Sequence, residues 1–163
     1  MIPSRSRHNI TRQFLKDKPH KWGTKLLMTC CTKTAYCLRL LREGTTRKRA
    51  IVRDLSEVLP LQEDGGFHAV VTDRFYTSVQ LALQLLSRNE YSIGTVQPNR
   101  AGNPKEVTSG STTRPPGVYR GSTRIAVAKC VPHRTALLWW ERMPVQFLAI
   151  GGSRALKTCG KAL

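Results

Sequence analysis

The chain has 163 residues and a hydrophobic fraction of 40%, which suits one globular domain able to bury a sizeable core. Its 27 Lys and Arg against 10 Asp and Glu give a formal net charge of +17, an excess that favours polyanionic partners, nucleic acid ahead of acidic membrane surfaces. No long apolar run occurs, and the basic opening MIPSRSRHNITR has no apolar core behind it. This argues against a membrane span and a secretory signal, and makes a soluble intracellular chain the expectation.

The first twenty-five residues are basic, with Arg5, Arg7, Arg12, Lys16, Lys18, Lys21 and Lys25 against Asp17 alone, and are expected to be irregular. From Trp22, "WGTKLLMTCC" and "TAYCLRLL" read as two antiparallel strands joined by a tight turn at Thr32 to Thr34, closed by Gly44. A helix follows, because Ile51, Val52, Leu55, Val58 and Leu59 share one face, with Thr45 or Thr46 as N-cap and Pro60 as stop. Arg47, Lys48 and Arg49 sit in its first turn, where the helix dipole prefers acids; a phosphate contact or a solvated basic face would both account for them.

Phe67 to Thr72 is a continuous apolar run of strand length, the pattern of a strand covered on both faces. Thr77 and Gln80 form a capping-box pair, and Val79, Ala82, Leu83 and Leu86 make the apolar stripe of the next helix. "YSIGTV" at 91 to 96 completes a strand, helix, strand unit, so the fold class is α/β. Gln97 to Gly117 is rich in Pro, Gly, Ser and Thr and reads as loop. "VYRGSTRIAVAKCV" and "TALLWWERMPVQFLAIGG" read as β-segments, and the basic tail from Ser153 as poorly ordered.

Five cysteines, Cys30, Cys31, Cys37, Cys130 and Cys159, make an odd count without C-x-x-C spacing, which supports neither a zinc site nor a disulfide framework. Cys30, Cys31 and Cys37 lie in apolar strand-like text and are expected to be small buried hydrophobes. The scattered His8, His20, His68 and His133 suggest no ligand set. Asp73 stands out at the C-terminal end of a central-looking strand, where ligand and catalytic groups collect in open α/β sheets. It could equally begin a turn into the next helix. Asp54, Glu57, Glu63, Asp64 and Glu141 read as solvated surface, Glu141 in a β-segment beside Trp139 and Trp140.

"KPHKWGTKL" at 18 to 26, "TAYCLRLL", "VVTDRFYTS" at 70 to 78 and "YSIGTVQPNRAGNPKE" at 91 to 106 occur in an order and spacing that resembles the piggyBac family of transposase-derived domains, over roughly residues 1 to 150. The resemblance implies a ribonuclease-H-like mixed sheet with flanking helices, here incomplete, over 1–106. A β-rich insertion region would occupy 107–150 and a basic tail 151–163. It also implies three Asp residues binding two Mg²⁺ or Mn²⁺ ions for DNA strand cleavage and joining. Asp73 matches the second of these.

"MIPSRSR" resembles the segment that follows the family's first catalytic Asp, and "GGSRALKT" carries the glycines of the third acid's motif without the acid. The expectation is therefore a truncated domain, catalytically inactive as this chain, with Asp73 a vestigial catalytic and metal-binding position and no ion held stably. DNA binding would be nonspecific, with Lys18, Lys21, Lys25 and Arg74 on phosphates. The alternatives are a fragment of an active transposase and a scaffold or protein-interaction domain. The resemblance further implies nuclear localisation, no membrane, and self-association through an exposed sheet edge.

Overall fold

The computed structural model describes residues 2–16, 18–42, 47–59 and 66–151. Thr45, Thr46, Gly44, Pro60, Glu63, Asp64, Asp17, Cys159 and the tail from Ser153 lie outside the described residues, as do the side chains of Arg47, Lys48, Arg49 and Asp54. The chain divides into two compact units, Met1–Leu61 and Gln62–Leu163, where length had suggested a single domain.

In the first unit, strands β1 (Ile2–Pro3), β2 (Arg12–Phe14) and β3 (Trp22–Thr24) form an antiparallel sheet in the order β1-β3-β2. The basic opening is therefore ordered rather than irregular. Asn9 is its organiser: Nδ2 donates to Ser4 Oγ at 3.2 Å and Thr24 Oγ1 at 3.1 Å, while Oδ1 accepts from the Thr11 amide at 3.0 Å. Trp22 carries the apolar contact, with Phe14 edge-on at 5.0 Å and the Arg12 guanidinium 4.2 Å from its ring centroid, a cation–π arrangement. The charge pattern hid these strands because their stabilising contacts are polar and aromatic rather than an apolar alternation.

β4 (Leu26–Cys30) and β5 (Cys37–Arg42) form the expected antiparallel hairpin, with its turn at residues 32–34. Among the described residues the hairpin forms a two-stranded sheet, with no further strand paired to its edges. Accordingly Cys30 is exposed and Cys31 and Cys37 are half-buried, not buried hydrophobes. Helix α1 (Arg47–Val58) buries Ile51 and Leu55, as its apolar spacing predicts. Glu57 is exposed, as expected, and also pairs with Arg39 of β5 and lies 3.9 Å from Arg53.

The second unit contains β6 (His68–Thr72), α2 (Val79–Leu86), β7 (Glu90–Thr95), a 3-10 turn at Lys105–Val107, β8 (Thr123–Val127), β9 (Arg134–Trp140) and β10 (Pro144–Ile150). The sheet order is β6-β7-β10-β9-β8. β6 and β7 are parallel, joined by α2 as the sequence predicts, and the remaining pairs are antiparallel. The chain is thus α/β with mixed sheet and few helices. β10 lies directly beside β7, so strands from 123–150 continue the sheet begun at 68–95.

One face of this sheet is covered. Val79, Ala82 and Leu86 of α2 pack on Val96, Leu148 and Ile150, and Val107 packs on Ala136, Leu138 and Trp140. On the opposite face Val71, Ile93, Ile125 and Val127 remain exposed. This overturns the expectation that β6 is covered on both faces: β6 is an edge strand, its exposure alternates, and Val71 is 68% exposed. An apolar run reports hydrophobicity but not whether a covering element exists. Glu141 lies in the bend between β9 and β10 rather than within a strand, paired with Arg120.

Glu90, at the start of β7, is 2% exposed. Burial raises its carboxyl pKa above the ordinary value of 4.5, opposed by Arg88 and, more weakly, by His68; Arg88 Nε lies 3.5 Å from Oε1. A carboxyl that binds its proton more tightly when folded loses stabilisation as pH rises from the unfolded value through the folded one. Glu90→Gln is therefore expected to gain stability over the parent between pH 4 and pH 7, in urea melts across about three pH units. Leu148→Ala, at 2% exposure, should cost about 2–5 kcal/mol in the same melts, while Val71→Thr on the open face should stay within about 0.5 kcal/mol.

Candidate functional site

β6 ends at Thr72, and residues 73–78 turn the chain into α2. The Asp73 carbonyl accepts from the amides of Tyr76 at 2.9 Å and Thr77 at 3.0 Å. Its side-chain Oδ1 accepts from the Arg74 amide at 2.7 Å. Asp73 thus begins the turn and also presents a carboxylate to solvent; the two readings of its sequence position are compatible.

The turn is held from below by two hydroxyls. Thr77 is 3% exposed, and its Oγ1 lies 2.9 Å from the Asp73 carbonyl, 2.9 Å from Thr72 Oγ1 and 3.3 Å from the Thr72 carbonyl. With one proton to give, Thr77 best donates to the Asp73 carbonyl and accepts from Thr72. Thr77 is therefore not the helix cap expected from the sequence. That role falls to Ser78, whose backbone is extended and whose hydroxyl accepts from the Leu81 amide at 3.2 Å, the usual N-cap bond.

Gly94 of β7 is the register partner of Thr72. A Cβ there would overlap Thr77 Oγ1 and come within 2.5 Å of the Thr72 carbonyl and hydroxyl. The glycine in "SIGTV" is thus the gap into which the threonine pair fits. Beyond β7, Arg100 Nη2 donates to the Phe75 carbonyl at 2.7 Å. Gly102, at φ +86, brings the same loop against Val79 at the start of α2. The Asp73 turn is clamped from both sides: by threonines beneath and by the loop after β7.

This arrangement aims a single carboxylate. One of its oxygens is engaged by the Arg74 amide, and the neighbouring hydroxyls bond to one another. Glu141, near the same end of the sheet by strand register, is paired with Arg120. No group of three His, Cys, Asp or Glu able to hold a metal occurs among the described residues. Hard divalent ions need several oxygen ligands and charge compensation, so the donors present do not fit a two-metal centre.

Of the other residues singled out from the sequence, Arg74 is exposed beside Asp73 in the second unit. Lys18 and Lys21 are exposed and Lys25 half-buried, all in the first unit. Thr72, Thr77, Gly94 and Arg100 were not anticipated. Only Gly94 carried a local signal, an isolated glycine within a strand pattern. No helix among the described residues is long and apolar enough to cross a membrane.

The chain matches the Transposase IS4 family over residues 1–157, and it belongs to that family. A cryo-EM structure of a piggyBac transposase synaptic complex with hairpin DNA is similar, with a TM-score of 0.69 at 22% identity over 91% of this chain. The chain spans 31% of that protein. No curated protein matches it. Its fold is similar to that of the matching part of the piggyBac transposase.

The clamp predicts a graded response. Gly94→Ala should destabilise the second unit by about 1–3 kcal/mol, because packed strands must separate to admit the methyl group. Arg100→Ala should instead leave the melting transition within about 1 kcal/mol and speed amide exchange at Tyr76 and Thr77, with Ala82 and Val96 unaffected. Exchange mapped by NMR distinguishes the two outcomes.

Proposed function

We propose that this chain is a ribonuclease-H-like, transposase-derived domain that binds DNA through its phosphates without sequence preference and does not cleave strands on its own. The observation that carries the reading is a lone carboxylate, Asp73, set at the end of a parallel strand by a turn clamped on both sides. In the family a set of such acids holds divalent metal. Here Asp73 is the remnant position, and no group of three or more His, Cys, Asp or Glu able to hold a metal occurs among the described residues.

The partition proposed with this function is a core over 1–106, a β-rich insertion over 107–150 and a basic tail over 151–163. Lys18, Lys21, Lys25 and Arg74 are the phosphate contacts, supported by a net charge of +17. The similar piggyBac protein was determined with hairpin DNA, which favours nucleic acid over a purely scaffolding role. Nuclear residence follows from this function. The outer edge of β6, beside which no strand lies among the described residues, is the proposed place of self-association.

A second reading is favoured by the chain's span of 31% of its structural relative: the residues belong to an active enzyme whose remaining acids are supplied outside this stretch. Plasmid nicking with Mn²⁺, measured on the chain together with its flanking coding sequence, separates the two. The first reading expects no nicking above that of Asp73→Ala; nicking lost in that variant would establish the second.

DNA binding is tested by fluorescence anisotropy on unrelated duplexes at increasing salt. With four phosphate contacts, log K should fall against log salt with a slope of about −3 to −4, and each Lys or Arg to Ala change should reduce the slope by about 0.9. A salt-independent curve would remove the electrostatic part of the proposal.

A further inference from the structure

The hairpin of the first unit brings together three cysteines that the function above does not use. Cys30, the last residue of β4, is the direct cross-strand partner of Cys37, the first residue of β5, with a register irregularity between Thr29 and Cys30. Directly opposed residues of an antiparallel pair lie about 4.5–5.5 Å apart at Cα, and a disulfide accepts roughly 4.4–6.8 Å. As register partners their side chains share one face, and desolvation, then the neighbouring Cys37 thiol, raises the pKa of Cys30. Cys37 Sγ in turn donates to the Arg39 carbonyl at 3.3 Å.

Cys31 is placed differently. Its amide donates to the Tyr36 carbonyl at 2.9 Å, closing the loop. Its thiol faces the turn, where hydrogen bonds from the Thr34 hydroxyl, then from the Thr34 and Lys33 backbone, favour the thiolate and lower its pKa. Cys31 lies one residue beyond β4, outside the register that pairs Cys30 with Cys37. Cys30 is exposed and the others half-buried, so small oxidants have access to the pair.

We infer that Cys30 and Cys37 are an oxidative modification site: a cross-strand dithiol that a low-molecular-weight disulfide converts to an intramolecular disulfide bridging the mouth of the hairpin. One thiolate of the pair attacks one sulfur of glutathione disulfide, forming a mixed disulfide and expelling one glutathione thiolate. The other then attacks the protein sulfur of that mixed disulfide, forming the Cys30–Cys37 bond and expelling the second. Two protein thiols lose two electrons, glutathione disulfide gains them, and the two released thiolates take up the protons.

The test uses the full folded chain, reduced, exposed to glutathione disulfide, quenched with iodoacetamide and digested with trypsin. Cleavage after Lys25, Lys33 and Arg39 puts Cys30 and Cys31 on one peptide and Cys37 on another, so the new bond alone joins them. The expected product is this linked pair, two hydrogen masses below the sum of the reduced peptides, formed at a rate independent of protein concentration. It should persist in Cys31→Ser and vanish in Cys30→Ser and Cys37→Ser.

In urea, where the hairpin geometry is lost, Cys30 and Cys31 should link to Cys37 with comparable yields; in the folded chain Cys30 should be favoured at least about tenfold. Retention of the link in Cys30→Ser with loss in Cys31→Ser would overturn the assignment. So would glutathione adducts without a linked pair, or bonds only between chains. Circular dichroism on each variant confirms that a lost link reflects lost chemistry rather than an unfolded hairpin.

Discussion

The close approach of β6 and β7 at Gly94 is the constraint on which the second unit depends. Two parallel strands cannot be joined by a tight turn, so the chain must leave β6, cross as a helix and return. The crossover starts immediately after Asp73, and the space for it exists because β7 has no side chain at Gly94. Thr77 fills that space and bonds back to Thr72, which ends β6, and to Asp73, which follows it. Strand spacing, helix entry and carboxylate direction are therefore consequences of a single packing contact.

The same contact explains why one acid can be well placed and yet chemically insufficient. Positioning comes from the backbone and from neutral hydroxyls, which fix direction without adding charge. A metal centre needs charge from several chain segments at once, and those segments need not be neighbours in sequence. A domain can thus keep the geometry of one ligand while the set it served is incomplete. Membership of the Transposase IS4 family and the fold shared with a piggyBac transposase are consistent with this separation between architecture and chemistry.

Much of the architecture was legible from spacing. The β4–β5 hairpin, α1, and the β6–α2–β7 unit follow from period and turn residues, and β8 to β10 from their punctuation. What failed did so for identifiable reasons. The opening sheet was missed because Asn9 and Trp22 hold it through polar and aromatic contacts that leave no periodic trace. β6 was misplaced to the sheet interior because the run from Phe67 to Val71 encodes apolarity, whereas edge position depends on which strand pairs with β7. That partner, β10, lies far along the chain. Asp73 was visible as a residue type at a strand end, but Arg100 was not: its bond to the Phe75 carbonyl is set by tertiary folding of the loop.

The pairing of β7 with β10 has a kinetic side. Thr95 finds Phe147 only after the whole intervening loop and two further strands have been made, so this contact has high sequence separation and a slow closure step. During synthesis from the N-terminus, β6, α2 and β7 are present while β7 still has an open side. The β9–β10 hairpin is local and can form quickly, then dock as a unit. Until it does, Ile150 and Leu148 are missing from beneath α2. The nascent domain therefore passes through an interval in which its helix has no floor, and a chaperone would find its apolar surface there.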